Sequence, residues 1–355
     1  MKRGAILQIL KSEKTELIKY MGEVCKDTKI TYSKNIFIPL TEICKNDCGY
    51  CSFKKSPDDE NAIILKSKAE ILTLLKEAEK YGCKEAMFAF GEDADEEESV
   101  KLKLKEYGYT NMTEYVYDVC EMTLAETSLL PHTNGGNYSY DDLKRLKKVN
   151  ASMGMMLENS SKRLMKLPAH MKSPGKDPEI RLKTIENAGK LKIPYTTGIL
   201  IGIGETVEEI ADSLIEIKKL SDKYGHIQEV IIQNFTPVKG IEMENSPKPS
   251  LLLMMKVVIA ASMLFKDSDV SIQVPPNLNN ETSQVFLLCG ADDWGGVSPV
   301  SPDYVNITSP WPGIDELERL TVDAGFKLVE RLCVYDKYIT PEWLDSTILD
   351  KINQY

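Results

Sequence analysis

Short apolar runs rich in β-branched residues recur along the chain, and each is followed by a stretch with helical spacing. The runs cover 35–40, 85–90, 128–132, 151–157, 195–203, 229–235, 271–275 and, more weakly, 290–297. The stretches between them carry start signals. Ser67 with Glu70, and Thr206 with Glu209, fit the capping box. Behind Ser67, the residues Ile71, Leu72, Leu75 and Ala78 repeat at helical spacing, and Ile210, Leu214 and Ile217 do so behind Thr206. Strand–helix alternation implies βαβ units and a parallel sheet. Eight units predict an α/β fold of the closed (β/α)8 TIM type; six units with an open side are the alternative. Residues 1–31 read as an N-terminal helical extension, 32–309 as the barrel and 310–355 as a C-terminal closing segment. In such a barrel, chemistry belongs to the C-terminal ends of the strands.

Composition narrows the partners. A chain of 355 residues can bury a large core, and a net charge of −10 disfavours nucleic acid and anionic membrane. The most apolar segment, 251–265, is interrupted by Lys256 and is too short to span ~30 Å of hydrocarbon, so it reads as a buried helix. Residues 1–11 lack the apolar run of a secretory signal, and the expected location is cytoplasmic.

Of the eight cysteines, Cys25, Cys83, Cys120, Cys289 and Cys333 are scattered, which suits small buried hydrophobes. Cys44, Cys48 and Cys51 form C-x3-C-x2-C directly after the first strand. A zinc knuckle would want a fourth Cys or His nearby, but Cys83 and His132 are remote. A disulfide leaves one of three thiols over. Three thiolates on one loop can instead wrap a cubane iron–sulfur cluster and leave one iron open, whereas electron-transfer clusters use four cysteines. Polar residues then follow several strands: Glu92 after Phe90-Gly91, Glu158 after Met155-Met156-Leu157, and Asn234 inside Gln233-Asn234-Phe235. The segment from Gly198 through Gly202 and Gly204 to Glu205 could also be a phosphate loop, though it lacks a P-loop Lys-Ser/Thr. Of the three histidines, His132 ends a strand and His170 lies in a Pro/Gly-rich loop; a lone histidine is more often a packed polar residue than a catalyst. Met153, Met155, Met156 and Met165 suit core packing.

The cysteine motif, with Tyr50 in the aromatic place, resembles the signature of the radical S-adenosylmethionine (SAM) superfamily. That resemblance implies a 4Fe-4S cluster on Cys44, Cys48 and Cys51, with SAM on the open iron, cleaved by an electron to a 5′-deoxyadenosyl radical. It further implies that Glu92 receives the SAM ammonium and that Glu158 meets the ribose hydroxyls or amine. Arg181 would meet the SAM carboxylate, unless it is merely a solvent-facing helix residue. Gly202, Glu205 and Asn234 would lie beside the adenine. Within the superfamily the chain is similar to the cyclase family of deazaflavin (FO) synthesis. The stretches that carry this are Cys48–Phe53, Leu130–Asn134, Gly154–Glu158, Ser173–Pro178, Gln228–Phe235 and Asp292–Pro299, continuing to Asn306 and Pro310-Trp311-Pro312. The pattern is looser at Asn134–Asn137 and at Val238–Gly240. What this implies is ring closure of a hydroxybenzyl–ribityluracil adduct with loss of ammonia. A partner subunit would supply the adduct, and a low-potential donor the electron. His132, Asp292, Asp293, Trp294 and Asn306 would touch the substrate; for the strand-eight residues the alternative is a structural turn, with Trp294 packing the mouth. Sister radical enzymes and a non-catalytic zinc or iron–sulfur module are the competing functions.

Overall fold

The structure, a computed structural model, describes residues 1–24 and 29–355. Among these, nine parallel strands form one sheet: β1 (Lys29–Thr41), β2 (Glu85–Phe90), β3 (Leu130–Asn134), β4 (Ser152–Gly154), β5 (Tyr195–Ile201), β6 (Ile227–Asn234), β7 (Ser271–Gln273), β8 (Asp293–Val297) and β9 (Lys327–Arg331). β1 pairs with both β2 and β8, which closes the first eight strands into a (β/α)8 barrel. Helices cover its outside. Ser67–Glu70 and Thr206–Glu209 both form full capping boxes, as the spacing predicts. The apolar segment is the helix Leu251–Phe265. It is apolar on nearly every side because the helices Arg3–Leu10 and Lys14–Val24 cover what would be its outer face. Among the described residues no helix is long and apolar enough to cross a membrane. Cys25 lies outside the described residues; Cys83, Cys120, Cys289 and Cys333 are buried.

The ninth strand is absent from the sequence expectation. β1 is longer than its apolar run, and its first half, Lys29–Ser33, pairs with Lys327–Arg331, while Asn35–Thr41 pairs with β2. β9 therefore enters below β2 and carries the closing segment under the barrel. Its last residue, Arg331, is mostly buried there, with 11% of its side chain exposed. Its guanidinium holds Asp293 through two bonds (Nε–Oδ2 2.5 Å, Nη2–Oδ1 2.8 Å) and reaches Glu229 at 3.3 Å. Tyr335 donates to Asp293 at 2.9 Å, and Arg331 lies 4.5 Å from the Tyr335 ring centroid.

This floor overturns three substrate-contact expectations. Gly290 turns the chain at φ +93°, so the strand starts at Asp293 and not with the apolar run at 290. Asp292, Asp293 and Trp294 thus open β8, at the end opposite the catalytic face. Asp292 Oδ1 accepts from the Ile272 amide at 2.7 Å, and Asp293 is the buried partner of Arg331. Trp294 is fully buried on the outer side, donates to Thr321 Oγ1 at 3.0 Å, and packs with Ile30, Tyr32, Leu287 and Leu317.

Burial outweighs the pull of Arg331 and pushes the Glu229 carboxyl up to about 8, with the Asp293 charge adding to the shift. The folded state therefore keeps a proton that the unfolded chain releases near 4.5. A raised folded pKa gives stability that is full below the unfolded value and lost as pH climbs through the folded one. We predict that the contribution of Glu229 to stability is lost between about pH 4.5 and 8, so that in urea titrations Glu229→Gln makes the slope of stability against pH more positive across that range. An unchanged slope in the variant would rule the assignment out.

Candidate active site

The loop after β1 has little regular structure, so its shape comes from what clamps it. The Lys45 amide donates to Glu92 O (3.0 Å), Asp47 to Lys172 O (3.1 Å) and Gly49 to Ala169 O (3.1 Å), while Gly49 O accepts from Met243 (2.8 Å). The fit leaves no room for side chains at two glycines: a Cβ would lie 1.8 Å from Ile43 O at Gly91 and 2.4 Å from Pro168 O at Gly49. Held this way, Cys44, Cys48 and Cys51 are free, half-buried, and face one cavity of about 250 Å³ at the C-terminal mouth. Burial pushes Cys44 up to about 12 and also raises Cys51. Backbone amides of Asn46 and Glu92 point at Cys44, and those of Lys54 and Phe53 at Cys51. Such N–H donors favour thiolate ligands of a cluster. Among the described residues, no three Cys, His, Asp or Glu side chains converge on one ion; in a cubane each thiolate takes its own iron.

Around these thiols lies a buried ionic network. Glu92 Oε1 accepts from Asn46 (3.0 Å) and Asn137 (2.9 Å) side chains, and Oε2 accepts from the Asn137 amide (3.2 Å) and Arg181 Nη1 (3.0 Å). Arg181 also donates through Nε to Met156 O at 2.7 Å, so it is a buried member of the site and not a solvent-facing residue. Gly175 and Gly136 press on the Glu92 carboxylate so closely that a Cβ would come within 1.6 and 2.3 Å of it. Glu158, beyond the end of β4, adopts the left-handed region, φ +64°, and pairs with the partly buried Lys176 at 2.7 Å. Burial alone would raise Glu158, but Lys176 and Arg181 outweigh it and hold the carboxylate below its ordinary range.

The remaining expected residues divide. Asn234 lines the cavity, with Oδ1 accepting from Asn279 at 2.8 Å. Asn306 lines it too, held by Asp303 at 2.9 Å. The loop carrying Asn306 is tied to the cysteine loop where Ser52 Oγ donates to Val305 O at 2.7 Å. Gly202 and Glu205 are not in the cavity wall. The Glu205 carboxylate folds back onto the Gly202 (2.7 Å) and Ile203 (2.8 Å) amides and fixes its own turn. His170 sits behind the site, 3.2 Å from the Tyr50 hydroxyl. His132 faces the barrel interior below the mouth. Asn46, Asn137 and Lys176 are site residues the sequence reading missed. Lys176 and Asn137 lay in quoted stretches, but only the fold shows which carboxylates they meet.

A (β/α)8 barrel with three thiols and a buried carboxylate–guanidinium network at the C-terminal mouth has the build of a radical enzyme. The chain matches the radical SAM superfamily over residues 38–217. It is 74% identical over 323 residues to a 7,8-didemethyl-8-hydroxy-5-deazariboflavin synthase of Methanobrevibacter smithii, covering 91% of this chain and 95% of that one. A Methanococcus vannielii protein of the same name is 54% identical over 354 residues, 99% of each chain. Among solved structures, the FeFe-hydrogenase maturase HydG from Carboxydothermus hydrogenoformans aligns with a TM-score of 0.74 at 16% identity, covering 97% of this chain and 79% of that chain. Methylornithine synthase (PylB) aligns at 0.72 and 16%, covering 92% and 94%. These two show the fold. The chain belongs to the radical SAM superfamily and, within it, to the 7,8-didemethyl-8-hydroxy-5-deazariboflavin synthase family. The superfamily's cofactors are a 4Fe-4S cluster and SAM.

Because Gly91 meets backbone and not a flexible side-chain tip, Gly91→Ala must displace the cysteine loop. We expect anaerobic reconstitution of this variant to incorporate less than half the wild-type iron and sulfide while its far-ultraviolet circular dichroism is retained. Full incorporation would show that the loop geometry is not limiting.

Proposed function

We propose that the chain closes 5-amino-5-(4-hydroxybenzyl)-6-(D-ribitylimino)-5,6-dihydrouracil to 7,8-didemethyl-8-hydroxy-5-deazariboflavin with loss of ammonia, a step toward coenzyme F420. The observation that carries this reading is the 74% identity, over 91% of the chain, to a synthase of that product. Cys44, Cys48 and Cys51 would hold three irons of the cluster and leave the fourth for SAM. When bound, the cluster and SAM together supply the radical that removes hydrogen from the substrate. This chain's residues do the rest. Glu92 and Arg181 orient the amino and carboxylate ends of SAM. Glu158, held anionic by Lys176, meets the ribose side, and the β6 end around Asn234 lies beside the adenine. The adduct fits the barrel interior beneath, where His132 and Asn306 contribute to the wall. The Ser52–Val305 tie narrows the mouth, which favours exclusion of water and of stray hydrogen donors. A partner enzyme supplies the adduct, and a low-potential donor the electron.

The test is anaerobic turnover of reconstituted enzyme with SAM, dithionite and purified adduct. Fluorescent deazaflavin and 5′-deoxyadenosine should appear together, and Cys48→Ala should lower both at least a thousandfold. Formation of 5′-deoxyadenosine without deazaflavin would overturn the substrate assignment alone.

A further inference from the structure

Below the thiol-lined cavity the barrel interior holds a second cavity of about 170 Å³. The two adjoin, sharing Phe37, Asn134, Met156, Gln233, Val305 and Asn306 as wall. Interiors of such barrels are usually filled by layers of branched apolar side chains. This one is polar. Glu85, Glu229 and Arg331 face it from below, and His132 faces it from β3.

The state of His132 follows from its neighbours. Its Nδ1 lies 2.7 Å from Ser152 Oγ. Ser152 has one hydroxyl hydrogen and gives it to the carbonyl oxygen of Cys333, 2.8 Å away, which can only accept. Nδ1 must therefore carry a hydrogen and donate it to Ser152. Burial, reinforced by the Arg331 charge, pushes the ring down to about 4, so it is neutral near pH 7. A neutral ring protonated on Nδ1 leaves a lone pair on Nε2. Among the described residues no donor bonds that atom. Gly154, next along the inner face of β4, keeps the space open: a Cβ there would stand 3.1 Å from Nε2.

Resting on the reaction proposed above, we infer that His132 Nε2 anchors the substrate by accepting a hydrogen bond from a buried O–H or N–H, and that the closing segment sets this polarity through Ser152 and the Cys333 carbonyl. The surrounding groups suit a ligand whose donor is flanked by acceptors. Arg331 is a fixed donor, Asp293 and Tyr335 hold it in place, and Glu229 and Glu85 are both pushed upward by burial, so Glu229 keeps its proton near neutrality. The Cys333 carbonyl is occupied by Ser152 and by Gln228 at 2.9 Å, so it does not compete for the ligand. An imide N–H between two carbonyls, as in a pyrimidinedione, is such a donor; a phenolic hydroxyl can donate to Nε2 but brings no flanking acceptors.

The chain has three histidines, which makes 15N-imidazole labelling readable in the reconstituted, SAM-loaded enzyme. His132→Gln assigns the signal. Without substrate, His132 should show a protonated Nδ1 and an unprotonated Nε2. Adding the adduct should shift Nε2 upfield; a 6-ribitylaminouracil probe doing the same identifies the imide as the donor, and p-cresol doing so identifies the phenol. His132→Phe should raise the KM for the adduct at least tenfold and raise the ratio of 5′-deoxyadenosine to deazaflavin, with the KM for SAM unchanged. His132→Gln, which restores an acceptor oxygen, should recover part of the loss. A protonated Nε2 in the free enzyme, an Nε2 signal unmoved by saturating adduct, or wild-type kinetics in His132→Phe would each overturn the inference. If the wild-type enzyme makes no deazaflavin, the proposed reaction falls, while the tautomer and the response to the two small probes still decide the role of His132.

Discussion

A barrel whose interior is left open must be sealed at one end, and here a single guanidinium does this. Arg331 arrives from β9, a strand outside the closed barrel, and its fork grips Asp293 of β8 while touching Glu229 of β6. Burying one cation among several carboxylates is costly unless every partner is met, and removing one member of such a cluster typically costs about 3–5 kcal/mol. The partners are met: Asp293 also takes Tyr335, Glu229 takes Thr196 at 3.1 Å, and Glu85 takes Ser33 at 2.5 Å. The floor joins strands distant in sequence, and the backbone ladder between Lys29–Ser33 of β1 and Lys327–Arg331 of β9 delivers Arg331 to it.

The upper site is built by the same logic with the opposite outcome. Glu92 and Arg181, which the family resemblance assigns to the two charged ends of one ligand, are bonded to each other at 3.0 Å. Each is also fixed by neutral groups, Asn46 and Asn137 on one side and the Met156 carbonyl on the other. The carboxylate and guanidinium are thereby held in place by the fold itself, so a zwitterion bound there would meet charges already positioned. Preorganised charges of this kind bind without the entropic cost of ordering long side chains. Asn46 also makes the cysteine loop part of the network, because it donates to Glu92 and accepts from Gly175 at 2.9 Å.

The barrel, its eight strands and the clustered thiols were legible because each leaves a local trace: apolar runs of strand length, capping boxes, and three cysteines in eight residues. What was lost in reading is non-local. β9 is a half-exposed strand, Lys-Leu-Val-Glu-Arg, whose alternation is too short to stand out and whose pairing partner lies nearly 300 residues away. The family resemblance gives Asp292, Asp293 and Trp294 to the substrate, yet the chain turns at Gly290 and the strand starts at Asp293, which puts them at the end opposite the catalytic face. Trp294 is in fact the largest side chain of the seam between β8 and the helix Ile314–Asp323. Glu205 matched a family motif, but its carboxylate serves the backbone of its own turn.

Floor and mouth constrain each other through the wall they share. Phe37, Met156 and Val305 are apolar and lie where the two cavities adjoin, between the ionic network above and the charged floor below. A ligand with a polar heterocycle at one end and carbon to be attacked in its middle is matched by that order. On the proposed binding mode, polar contacts at the floor fix the ligand's height in the barrel, and Phe37, Met156 and Val305 offer apolar contact to its carbon while Asn134, Gln233 and Asn306 at the same level pair with its polar groups. In that binding mode the closing segment would act on the chemistry from the far end of the barrel. With the ligand anchored as proposed, Arg331 and the Cys333 carbonyl would set which of its atoms stands level with the mouth.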